Sequence, residues 1–170
     1  KIPRCAVIGT DEFDRFMKDN KLWDIAINQL NDDKLEKIFI KARLSIDLML
    51  KLETFINDNR MPLAVRSSSL LEDSQYQPLA GTYETYMLPN NEKTNKDRLK
   101  SLVLAIKKVY ASTFKGDAKS LLGTTAHRIE EEKMAIILQE IVGQEYNSGR
   151  YYPSFSGVLK SINYYPVSYM

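Results

Sequence analysis

The apolar rhythm of this chain changes once, at Pro62, and that change limits the folds open to it. Up to residue 60, apolar side chains recur at the three- and four-residue spacing of amphipathic helices. Beyond it, short runs rich in Thr, Tyr and Val alternate with one long helical stretch. Helices first, then strands and helices mixed, is an α+β layout with a helical start followed by antiparallel strands and helices, or else an α/β one. The expected division is 1–60, mainly helical, and 61–170, mixed.

The elements follow from local signals. Cys5 to Ile8 is a brief apolar strand, broken by Gly9 and by Thr10, which is placed to cap a helix carrying Phe13, Phe16 and Met17. Leu22, Trp23, Ile25, Ala26 and Leu30 continue the pattern, and Leu35, Ile38, Phe39 and Ala42 line a third helix. Ser45 caps a fourth, with Ile46, Met49, Leu52, Phe55 and Ile56 at helical spacing and Pro62 just past its end. Residues 63–66 then read as a strand running into the serines 67–69, and residues 82–88 as a second. Residues 96–114 form the best helix, with Leu99, Leu102, Val103, Ile106 and Val109 on one face, and a shorter helix is expected at 117–122. Residues 134–142 read as a strongly apolar strand with 155–163 as its antiparallel partner, joined by a linker over 143–154.

Composition narrows the classes. A length of 170 residues is that of one domain, able to bury a core without staples. A net charge of +2 is too balanced for a nucleic-acid groove or a polybasic membrane surface, so neither partner is expected. The single cysteine, Cys5, has no internal disulfide partner, and no apolar run approaches the ~18 residues of a membrane span. The first residue is Lys1 rather than Met, and no leader-like segment follows, so the expectation is a cytoplasmic fragment of a longer chain.

The chemistry concentrates between residues 64 and 85. Arg66 at a strand end, followed by Ser67, Ser68 and Ser69, offers a cation and short hydroxyl donors, the set that phosphate oxygens accept. An Arg paired to Glu72 or Asp73, with serines capping a turn, explains the same residues without a ligand. Gly81 at a strand entry lets backbone N–H groups approach a polyphosphate, with Thr82 and Thr85 close by, yet it is equally an ordinary strand-opening glycine. There is no Gly-Lys-Ser/Thr P-loop.

Together these blocks resemble the nucleotide-binding domain of phosphoenolpyruvate synthase and pyruvate phosphate dikinase. The resemblance is carried by Val65-Arg66-Ser67-Ser68, Glu72-Asp73, Ala80-Gly81 and Thr85, then Ala111-Ser112-Thr113-Phe114, Met134 through Val142, and Ser156-Gly157-Val158, in the family's order over about residues 60–160. It implies the N-terminal part of an ATP-grasp-like domain that binds ATP, with Arg66, Gly81, Thr82 and Thr85 on the phosphates. It implies an adenine hinge at Gln139, Glu140, Ile141 and Val142, in which backbone groups of Glu140 and Val142 read the base edge. A carrier histidine on another domain of the longer chain would receive the phosphoryl group and pass it to pyruvate in an acceptor-binding domain. Related members with another acceptor, or a non-catalytic nucleotide-binding module, remain open. The Mg²⁺ ligands, the phosphate-binding Lys and the catalytic groups are expected outside this stretch, which alone would be inactive.

Other features have ordinary readings. Glu72 and Asp73 are expected to be structural, Glu130 to Glu132 a solvated turn, and His127 a loop histidine lacking the Gly-rich context of a carrier. The basic residues Lys96, Arg98, Lys100, Lys107 and Lys108 are expected on a solvated helix face. The C-terminal tyrosines (146, 151, 152, 164, 165 and 169) are a stacking platform or, in the plainer reading, core and interface contacts.

Overall fold

The computed structural model describes residues 2–69, 82–122, 132–147 and 149–157. Gly81, Glu72, Asp73, Glu130, Glu131, His127 and the tyrosines beyond 157 lie outside the described residues. In chain order the elements are β1 (Cys5–Ile8), α1 (Thr10–Asp19), α2 (Trp23–Asn28), α3 (Asp32–Lys41), α4 (Ile46–Asp58), β2 (Leu63–Ser69), β3 (Thr85–Leu88), α5 (Asn95–Ser112), α6 (Gly116–Leu122), β4 (Met134–Glu140), β5 (Gln144–Tyr146) and β6 (Arg150–Tyr152). The fold is α+β, with an antiparallel sheet of order β1-β4-β2-β3 and a separate β5-β6 hairpin.

Capping explains where the helices begin. Asn31, Ser45 and Thr94 each accept a backbone N–H three residues on, from Lys34 at 2.9 Å, Leu48 at 3.1 Å and Asp97 at 3.1 Å. Ser45 thus caps α4 as its sequence suggests. Thr10 does not cap α1: it is the first helical residue, and Gly9 before it brings no side chain to the task.

Alternation along the strands decides the layers. Ala6 and Ile8 of β1, Leu63 and Val65 of β2, Tyr86 and Leu88 of β3, and Met134, Ile136 and Leu138 of β4 join the core under the helices. α1 and α5 touch this side of the sheet, while α3 and α4 pack against α5. Phe13, Phe16, Phe39, Tyr110 and Phe114 meet with ring centroids 5.1–6.2 Å apart, tying α1, α3 and α5 into one aromatic cluster. Among the described residues no helix is long and apolar enough to cross a membrane.

Several expectations are corrected. The partners of β4 are β1 and β2, and residues 155–157 belong to no strand; 158–163 lie outside the described residues. The Cys5–Ile8 strand pairs with β4, and on both strands alternate apolar residues face the helices. The serines 67–69 are part of β2, not a turn after it, and the 143–154 linker folds into the β5-β6 hairpin. Glu132 is buried and accepts a 3.0 Å hydrogen bond from the Tyr83 hydroxyl, so it is no solvated turn residue.

Arg98 departs furthest from expectation. It is 1% exposed rather than on a solvated face. Its guanidinium donates to Asn90 Oδ1 at 2.8 Å, Asn95 Oδ1 at 2.9 Å, the Ile56 carbonyl at 2.8 Å and the Asn59 carbonyl. Replacing Arg98 by Ala strips the end of α4 of these donors and opens a cavity. Urea unfolding is expected to show a loss of about 3–5 kcal/mol, against about 0.5 kcal/mol or less for exposed Lys100→Ala on the same helix.

Candidate nucleotide site

The sheet face turned away from the helices carries the residues that the sequence singled out. Register aligns Val7, Ile137, Arg66 and Thr85 in one row across the four strands, and Cys5, Gln139, Ala64 and Met87 in the next. Arg66 and Thr85 are therefore direct cross-strand neighbours, both exposed. The Arg66 guanidinium donates from Nη1 to Gln139 Oε1 at 3.3 Å, which turns it across β4 instead of leaving it loose in solvent. Ser67 and Ser69, with odd-numbered parity, fall on the helix side and are buried; only Ser68 shares the face of Arg66. The three hydroxyls thus do not act together.

The segment that leads into β3 is held from behind. Tyr83 reaches Glu132, the Glu84 N–H donates to Ser112 Oγ at 3.2 Å, and the Glu84 carboxylate accepts from Lys115 Nζ at 2.5 Å and from the Tyr86 hydroxyl. Lys115 also donates to Glu36 at 2.7 Å, and Lys108 adds a 3.0 Å ion pair to the same carboxylate. Thr82 is half-buried in the bend that starts this segment. Burial raises the pKa of Glu36, but the hydrogen bonds and charges of Lys115 and Lys108 outweigh it and hold the carboxyl below its ordinary 4.5.

At the other end of β4, the expected hinge residues divide. Gln139 points onto the open face, whereas the Glu140 carboxylate is buried on the opposite side. There it accepts from Arg4 Nε at 2.8 Å and from Asn59 Nδ2 at 3.1 Å, and Arg4 Nη2 lies 2.6 Å away. The Glu140 N–H donates to the Arg4 carbonyl at 2.9 Å and that of Ile141 to the Pro62 carbonyl at 2.8 Å. Among the described residues the Val142 N–H has no backbone acceptor.

Beside Ile141 opens a cleft of about 460 Å³, walled by Met61, Pro62, Met87, Pro89 and Tyr151 among others. Its lining is mostly apolar, with Arg60, Asn91 and Glu145 adding polar groups. Sequence reading missed this cleft. Met87 was findable, two residues past Thr85 on an alternating strand, but Tyr151 arrives through a hairpin that has no clear signal. Among the described residues no group of three or more His, Cys, Asp and Glu is placed to hold a metal ion.

Comparison with known proteins now bears on this geometry. Residues 1–168 match the family described as "Pyruvate phosphate dikinase, AMP/ATP-binding domain". The chain belongs to this family. The match takes in the helical start as well as the strands, so α1–α4 are an integral part of the AMP/ATP-binding domain. A curated relative, the uncharacterized phosphotransferase YvkC of Bacillus subtilis (strain 168), is 31% identical over 147 residues. That similarity covers 85% of this chain but only 16% of the relative's length.

The pairing around Glu36 yields a test by acid. A carboxyl whose folded pKa is depressed contributes stability that is complete above its unfolded value and is lost as pH falls through the folded one. Acid titration of unfolding stability is therefore expected to fall more steeply for the wild type than for Glu36→Gln below about pH 4.5. Parallel curves would remove the pairing from the stability of β3.

Proposed function

We propose that this domain binds ATP across the open face of its sheet and serves as the nucleotide-binding part of a dikinase-like phosphotransferase. One observation carries the reading. The apolar cleft at Pro62 and Ile141 and the Arg66–Thr85 pair lie on the same face, four residues apart along β2. At ~3.3 Å per residue that is about 13 Å, the order of the separation between a purine ring and the outer phosphates of a nucleoside triphosphate.

Each residue then has a physical task. Arg66 supplies a fixed charge for phosphate oxygens, held toward β4 by Gln139, and Thr85 adds a hydroxyl beside it. Gly81 and Thr82 precede that pair in the chain and are assigned to the phosphate loop. The Val142 N–H and the Glu140 carbonyl read the base edge, while Ile141, Met61 and Met87 cover its faces. Three carboxylates near the sheet are already engaged. Glu84 is taken by Lys115 and Tyr86, Glu132 by Tyr83, and Glu140 by Arg4 and Asn59. The resemblance puts the Mg²⁺ ligands outside this stretch, and that remains our proposal.

In the complete enzyme this domain would hold the triphosphate in line with a carrier histidine of another domain, with positioning and charge stabilisation supplying the rate. Pyruvate is the acceptor implied by the likeness to phosphoenolpyruvate synthase, and the cytoplasm is the compartment in which we place the protein. Calorimetry on the full protein is expected to show Arg66→Ala weakening ATP binding by about 1–3 kcal/mol, roughly 5- to 150-fold. Unchanged affinity would take Arg66 off the phosphates. ATP binding with no phosphoryl transfer at all would favour a nucleotide-binding module over an enzyme.

A further inference from the structure

The three walls of the base cleft have a common support that none of the ligand assignments uses. The first wall is Met61 and Pro62: the Met61 N–H donates to Asn59 Oδ1 at 2.9 Å, and its carbonyl accepts from Asn90 Nδ2 at 2.9 Å. The second wall is Pro89 with the turn after it, where Asn90 adopts a left-handed φ of 57° and turns its side chain inward. That side chain donates to the Asn59 carbonyl at 3.1 Å and accepts from Arg98 Nε at 2.8 Å. The third wall is Ile141, which follows Glu140, whose carboxylate receives Asn59 and Arg4. Asn59, Asn90, Arg98 and Glu140 are all buried, and their bonds form one connected cluster directly behind the cleft. Arg4 alone is reachable from outside, with its side chain 69% exposed, and it grips Glu140 twice: by guanidinium and by the Arg4 carbonyl on the Glu140 N–H.

We propose that Arg4, Asn59, Asn90 and Arg98 are positioning residues which fix the width and register of the base slot, so that selectivity for the purine depends on side chains that never touch it. This rests on the nucleotide reading above and deepens it. The physical reason is that a slot for a flat ring works only if its walls are held apart at a set spacing. Of the walls made of loop ends (residues 60–62, 89–91 and 141–143), the first and third are tied by one cross-strand bond, from the Ile141 N–H to the Pro62 carbonyl at 2.8 Å, and that bond does not fix the distance to the second. A connected, fully bonded polar cluster supplies the rigidity that the loop ends lack. Arg4 is the member whose removal leaves the other three bonded to one another, although it takes the cation away from the buried Glu140 carboxylate.

The test compares two ligands in the full protein, ATP and inorganic tripolyphosphate, which has the phosphates but no base. Arg4→Ala is expected to weaken ATP binding about 5- to 10-fold, to leave tripolyphosphate binding unchanged, and to narrow the preference for ATP over GTP. Arg4→Lys, which keeps the charge but not the forked grip, is expected to recover part of the loss. If ATP and tripolyphosphate weaken together, or if neither changes, the positioning role is overturned while the nucleotide reading stands. A wild-type protein that binds neither ligand overturns both.

Discussion

A guanidinium removed from water must find acceptors for its N–H groups, and Arg98 finds them in carbonyls and amide oxygens rather than in a carboxylate. Burial pushes its pKa down, with repulsion from Arg60 adding to the effect, and the four bonds are what keep the charge in place. Because those acceptors sit at the end of α4 and in the turn after β3, one side chain of α5 sets how the helical layer meets the end of the sheet. Asn59 passes the constraint on to Glu140. The geometry of the β4 end therefore depends on a cluster laid down where the helices meet the sheet.

The two ends of the open face are supported in different ways. Behind the cleft the support is a compact cluster in which two amides, Asn59 and Asn90, join the buried Arg98 and Glu140, with Arg4 paired to Glu140 from outside. Behind Thr85 it is a set of ion pairs, Lys115 with Glu36 and Glu84, and Lys108 with Glu36 and over the Tyr86 ring at 5.4 Å. Partly exposed ion pairs respond to salt, and both supports contain them: Lys115 and Lys108 with Glu36 behind Thr85, and Arg4 with Glu140 behind the cleft.

Much of this was legible in the sequence because it depends on period and on local chemistry. The apolar stripes of α1, α3, α4 and α5, the Ser45 cap and the strand character of 63–66 and 134–140 all follow from neighbours within a few residues. Arg66, Thr85 and Gln139 stood out as chemistry, and pairing of distant strands brought them onto one face. What was not legible depends on partners far apart in the chain. Arg98 carries the same charge as its neighbours on α5 and is distinguished only by Asn90 and the end of α4 closing over it. The union of β1 with β4 joins residues more than 120 positions apart, and Glu132 is buried only because Tyr83 reaches it. Ser67 and Ser69 were misread because three consecutive hydroxyls look like one group until strand parity sends them to opposite faces.

The central claim is that a nucleotide lies on the open sheet face, base against the Pro62–Ile141 cleft. Photolabelling the full protein with 8-azido-ATP and mapping the modified peptides tests it most directly. Label is expected on the segments around Met61, Met87 to Pro89 and Ile141 to Val142, and competition by ATP should abolish it. Competable label confined to α1, α3 or the outer surface of α4 would put the nucleotide on the helical side and contradict the claim.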